Sequence, residues 1–126
     1  MLKLYRDEAC TEEFTSEDPD VASGAVEENE TFVDEKAIYL KSDNPDLTYE
    51  NISIEKLSDE IAPGVILEYA PDVDGSAGGY SETYEPSDGA YTNAHKLWRR
   101  VTSENVAEPF KREDVKHRVK SDNYIA

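Results

Sequence analysis

The chain has 126 residues, a third of them charged, and its 29 acids against 13 bases give a formal net charge of −16. That length builds one domain rather than two well-filled ones, and so much negative charge repels a phosphate backbone, which argues against a sequence-independent nucleic-acid binder. Leu, Ile, Val and Phe supply only 25 residues, near the level at which highly charged chains stay unfolded, but eight tyrosines and one tryptophan restore large buriable areas.

In chain order the segments read as strands. Leu2 and Leu4 alternate with Lys3 and Tyr5, the period of a half-buried strand. Residues 31–41 put Ile38 and Leu40 on one face, and 49–57 put Ile52 and Ile54 on one face. Residues 64–70 align Val65, Leu67 and Tyr69, and 95–102 align Leu97 with Val101. In 113–120, Val115, His117 and Val119 share a face. Turn chemistry separates these runs at Asp18-Pro19, Asn44-Pro45, Pro63-Gly64, 71–79, 85–89 and Pro109. No segment repeats apolar residues at helical spacing over three turns; 55–62 is expected to make one helical turn at most. Short strands spaced by turns predict an antiparallel β-sandwich, with the whole chain as a single domain.

Two stretches break the pattern. Residues 7–30 hold ten acids and no base, with Phe14, Val21 and Val26 as the apolar anchors; this is either a long solvated loop or an arm that orders against a partner. Residues 71–93 are rich in Gly, Ser and Tyr, with one short strand expected near Tyr80–Tyr84.

The charge is uneven. Residues 1–63 carry −13, residues 64–126 carry −3, and 94–120 invert to eight bases against four acids. Arg99, Arg100, Lys111, Arg112, Lys116, Arg118 and Lys120 are expected to line a solvent-facing stripe. That stripe is balanced by the acidic half of the same molecule or by the 7–30 arm of a neighbour, since the planar guanidinium grips carboxylates in two bonds, or else it contacts nucleic acid. Trp98, on the face opposite Leu97 and Val101, is expected to cap the sandwich edge or anchor an interface, where tryptophan is enriched.

No motif carries chemistry. Asp72, Asp74 and Gly75 begin like a calcium loop, but Ala77 and Thr83 stand where that loop needs Gly and Glu, so an acidic turn is expected. His95 and His117 lack zinc-site spacing. Cys10 sits among Asp7, Glu8, Glu12 and Glu13, neighbours that raise a thiol pKa, and is expected to be idle. There is no Gly-x-Ser-x-Gly elbow and no phosphate-binding glycine loop. The reading is non-enzymatic, with no catalytic residue, metal or cofactor. The opening residues lack the apolar core of a secretory signal, and no run approaches a membrane span. Cytoplasmic synthesis is expected, with no membrane partner and no use of the sequons at Asn29 and Asn51.

Three stretches occur in a telling order: LKLYRDEACTEEFT, KAIYLKSDNPDLTYENISIE and KLWRRVTSENVAEPFKREDVKHRVKSDNYIA. Ile38–Lys41 and Asn51–Ile54 fit a strand, turn and strand; Trp98–Val101 and Asp114–Val119 fit the two closing strands. About half the chain thereby resembles small immunoglobulin-like β-sandwich proteins from the particles of tailed bacteriophages and related viruses. The resemblance implies an immunoglobulin-like sandwich of about seven strands and a non-enzymatic structural role. The chain would be a multicopy virion component, made in the host cytoplasm and docked on a capsid, head–tail connector or tail protein. Its partners would be other virion proteins and copies of itself. The contact residues expected are Phe14 with its arm, Trp98, Arg99, Arg100, Arg112, Arg118, Tyr124 and Ile125. Two other classes stay open: a host- or glycan-binding module that stacks sugars on exposed Tyr80, Tyr84 and Tyr91, and an acidic DNA mimic that inhibits a DNA-processing enzyme.

Overall fold

The computed structural model describes residues 1–15, 17–24, 30–57, 65–106 and 110–125. They form nine strands: β1 (Leu2–Tyr5), β2 (Asp20–Gly24), β3 (Glu30–Ser42), β4 (Leu47–Lys56), β5 (Val65–Val73), β6 (Ser76–Ala77), β7 (His95–Val106), β8 (Phe110–Val115) and β9 (His117–Ile125). All pairings are antiparallel. One sheet has five strands in the order β1-β3-β7-β5-β6, and β2–β8 and β4–β9 form two-stranded sheets. The protein is therefore all-β and antiparallel. The strands exceed the expected seven because β2 lies in the acidic stretch, β6 has two residues and β8 is separate from β9. The helical turn expected over 55–62 does not start: residues 55 and 56 close β4, and 58–62 lie outside the described residues.

Period-two burial builds the core. In β3, Phe32, Ile38, Leu40 and Ser42 point inward, and in β7 Leu97, Arg99, Val101 and Ser103 do so. Leu2 and Leu4 of β1 and Leu67 and Tyr69 of β5 complete the inner face of the large sheet. That face packs in one cluster with Tyr49, Ile52 and Ile54 of β4 and Val115 of β8. Each such aliphatic side chain contributes about 1.5–3 kcal/mol when fully buried.

Two local irregularities set the register. Tyr49 and Ile52 are both buried although three residues apart, which a regular strand forbids. The β4–β9 register shifts between Glu50 and Ser53, and Asn51 sits in the left-handed region at φ 52°. A bulge there re-phases the strand, and asparagine is among the few side chains that tolerate that backbone. Asp74 and Gly75, at φ 52° and 90°, link Val73 to Ser76 as a two-residue hairpin, the conformation that Asp-Gly favours. The fragment with a likeness to a calcium loop is thus a hairpin turn.

The described residues of the 7–30 stretch fold onto the body of the molecule. Phe14 donates its backbone N–H to Leu4, Asp7 accepts from the backbone of Thr11 and Glu12, and Arg6 bonds Asp18 at 3.0 Å. β2 then pairs with β8, at the opposite end of the chain. Residues 81–89 cross between layers, bridging Tyr69 of β5 through Ser81, and Ile54 and Tyr49 of β4 through Tyr84 and Gly89. The short strand expected near Tyr80–Tyr84 is present only as these isolated bridges.

Candidate functional site

The densest polar chemistry lies inside. Arg99 is on β7 between inward-facing Leu97 and Val101 and has no solvent exposure. Its Nε donates to Asp20 Oδ2 at 2.6 Å and its Nη2 to Asp20 Oδ1 at 3.0 Å. Nη1 and Nη2 also donate to the backbone carbonyls of Asp34 at 2.7 Å and Val21 at 3.1 Å. On the other side of Asp20, His117 Nε2 lies 2.9 Å from Oδ2, and His117 Nδ1 lies 2.6 Å from the Tyr69 hydroxyl. Because an ionised carboxylate only accepts, Nε2 carries a proton and donates it to Asp20. Phe14 and Tyr69 each meet the imidazole edge to face, at centroid distances of 5.3 and 5.5 Å.

The electrostatics follow from this packing. Burial alone pushes the Asp20 carboxyl up, but bonds from His117 and Arg99 and the guanidinium charge outweigh it and hold the group well below the usual carboxylate range. Burial pushes the Tyr69 hydroxyl far above its ordinary value, helped by the Asp20 charge. Desolvation opposes the Arg99 charge, yet Asp20 and Asp34 together strengthen its hold on the proton. The chain Tyr69–His117–Asp20–Arg99 joins β5, β9, β2 and β7. Its groups are committed to one another, so its chemistry is that of a polar pin inside the core. A cleft of about 230 Å³ opens beside it, with Arg6, Phe14, Lys36 and Ile38 on its walls.

The outer face of the large sheet is the second concentration of side chains. Arg100 bonds Glu68 at 2.9 Å and lies 4.0 Å from the Tyr80 ring centroid, while the Tyr80 hydroxyl donates to Glu35 at 2.6 Å. Burial and that glutamate push the Tyr80 hydroxyl well above its ordinary range. The half-buried Trp98 donates its indole N–H to Asp72 at 2.9 Å, with the Lys96 ammonium over its ring. One row further along, Val33, Thr102 and Ile66 lie side by side, with Val33 55% and Ile66 46% exposed.

The expected contact residues do not form one surface. Arg99 is a correction: it is buried, because it shares the parity of Leu97 and Val101, and adjacent Arg99 and Arg100 cannot share a strand face. Phe14 is half-buried against His117 and under the Arg6 guanidinium rather than offered as an anchor. Trp98 and Arg100 lie together on the outer face of the large sheet. Arg118 is on β9 and pairs with Glu55 at 2.8 Å, as does Lys120 at 2.7 Å. Tyr124 and Ile125, also on β9, are exposed, Ile125 by 88%. Lys111 and Arg112 are in β8, where their side chains fall outside the described residues. Of the two open origins for the balancing acids, Arg99, Arg100, Arg118 and Lys120 all find theirs in the same molecule. The tyrosines expected to be exposed are half-buried: Tyr84 and Tyr91 pack on the core, with hydroxyls bonded to His95 and to the Ser87 carbonyl. Cys10 is a free, partly covered thiol raised by burial.

Asp20 is the residue that sequence reasoning misses. Arg99 between two inward apolar residues, and His117 between Val115 and Val119, both signal that an acid must be buried opposite them. Ten acids in one loop-like run left no way to choose which. The chain matches no protein-family model, no curated protein and no solved structure.

Proposed function

We propose that the protein is a non-enzymatic structural component of a virus particle, an immunoglobulin-like sandwich present in many copies. It docks on a capsid, connector or tail protein through the outer face of its five-stranded sheet. The observation that carries this reading is the composition of that face. Exposed Val33 and Ile66 flank Thr102, and the row of Glu35, Arg100 and Glu68 beside them leads on to Trp98. This is an apolar patch with a polar, register-setting border, the anatomy of a docking surface. The resemblance in the strand segments supports the immunoglobulin-like topology and the virion setting, and the commitment of Asp20, His117 and Arg99 to the core supports a role without catalysis.

The test is made on particles. Density-purified virions of the virus that encodes this chain are expected to contain it as a multicopy protein by quantitative mass spectrometry. A Val33→Asp, Ile66→Asp variant is expected to enter particles at least tenfold less while melting as the native chain does. Absence of the native chain from particles, or undiminished entry of the variant, defeats the proposal.

A further inference from the structure

We infer that the free edge of β9 pairs with β9 of a second copy, antiparallel about a two-fold axis at Ser121, to join two β4–β9 ribbons into one four-stranded sheet. Of the described strands, β9 pairs with β4 alone. Among the described residues, no backbone hydrogen bond outside that ladder involves Arg118–Ile125. An unpaired row of backbone donors and acceptors is a template for another strand. The end of this strand is also bare: Asp122, Asn123, Tyr124 and Ile125 are all exposed, although their parity alternates between the faces of the sheet.

Charge chooses the occupant and the register. Centred on Ser121, antiparallel self-pairing sets Lys120 opposite Asp122 of the second copy and Arg118 opposite its Tyr124. The first is an opposite-charge pair and the second places a guanidinium on an aromatic ring, each favourable across strands. Shifting the centre to Lys120 or to Asp122 brings like charges face to face, which costs similar amounts. Lys120 already holds Glu55 and Asp122 already accepts from Asn51 at 2.7 Å, but an ammonium has three donors and a carboxylate two oxygens. Each therefore has capacity for the partner, and the ion pairs run Glu55–Lys120–Asp122 across the junction. On the other face, Ile125 of the second copy falls opposite His117, beside a cleft of about 60 Å³ lined by Phe14, Thr15 and Leu57. The two-fold makes the contact self-complementary and closed, so it yields a dimer and not a fibre.

This edge is a different surface from the docking face proposed above, and the two are tested independently. The native 126-residue chain is expected to sediment at twice its 14.2 kDa mass as concentration rises. Asp122→Lys, which turns the pair into a repulsion, is expected to raise the dissociation constant about tenfold with an unchanged melting curve. In a Cys10→Ser background, Ser121→Cys is expected to crosslink on mild oxidation, because directly paired residues stand at disulfide distance. Asn123→Cys, which faces residue 119 of the other copy, is expected not to crosslink. A chain that stays monomeric to the limit of its solubility overturns the inference. So does a dimer that Ser121→Cys fails to crosslink, which would place the interface elsewhere.

Discussion

Arg99 is a cation without solvent contact, and its effect on stability depends on its partner. Removing one member of a buried ion pair strands the other charge and costs about 3–5 kcal/mol. Asp20→Ala is therefore expected to destabilise the protein by that amount at pH 7, measured by urea unfolding. The pH dependence has a definite sign. The Asp20 pKa is depressed in the folded chain, so its contribution is complete above the unfolded value of about 3.9. It is lost as pH falls from there through the lower folded value. The stability gap between native and Asp20→Ala chains is expected to be constant from pH 7 to about 5 and to shrink below about 4; a constant gap down to pH 2 contradicts the assignment. Part of this was readable in advance: the parity of Leu97, Arg99 and Val101 already marks Arg99 as inward. Asp20 was not readable, because its partners lie 79 and 97 residues away and nothing local distinguishes it from its acidic neighbours.

At the scale of the element, alternation made most strands legible. Ile38 with Leu40, Val65 with Leu67 and Tyr69, and Val115 with His117 and Val119 all keep the faces their spacing predicts. β2 escaped because its one described core side chain is Ala22, and its existence rests on pairing with β8 rather than on its own pattern. The bulge in β4 escaped too, since one left-handed residue shifts the phase without leaving a run of turn residues. Asn51 gives a test of that geometry. Asn51→Ala is expected to cost about 1 kcal/mol, because alanine keeps the Cβ penalty of the left-handed region and loses the polar side chain that makes asparagine tolerant of it. Asn51→Gly is expected to be the milder change, because it relieves that penalty and loses only the exposed bond to Asp122. The reverse order in thermal melts would show that the side-chain bond, not the backbone, sets this position.

At the scale of the molecule, the 13 bases can offset only 13 of the 29 acids, and a net charge of −16 is left over. Asp20 meets Arg99 and Glu55 meets Arg118 and Lys120, so acids of the first half neutralise bases of the second. The remaining acids repel one another across a small surface, and net charge of this size destabilises the compact state. Raising salt from 10 mM to 1 M shortens the screening length from about 30 to about 3 Å. The melting temperature is expected to rise over that range, as repulsion is screened while the buried Asp20–Arg99 pair is not. A falling melting temperature would mean that exposed ion pairs, such as Arg118–Glu55, hold the fold more than repulsion strains it.

The length of chain between Asp20 and His117 also has a meaning in time. At ordinary synthesis speeds of 5–20 residues per second, the ribosome needs roughly 5–20 s to pass from one to the other. Throughout that interval the segment that ends as β2 lacks β8, its strand partner, and Asp20 lacks the imidazole that completes its bonding. A segment made to wait in this way is safest if it stays hydrated and repels its own kind. Residues 7–19, just before β2, hold six acids and no base, a composition that keeps this segment in water until the last strand emerges to receive it.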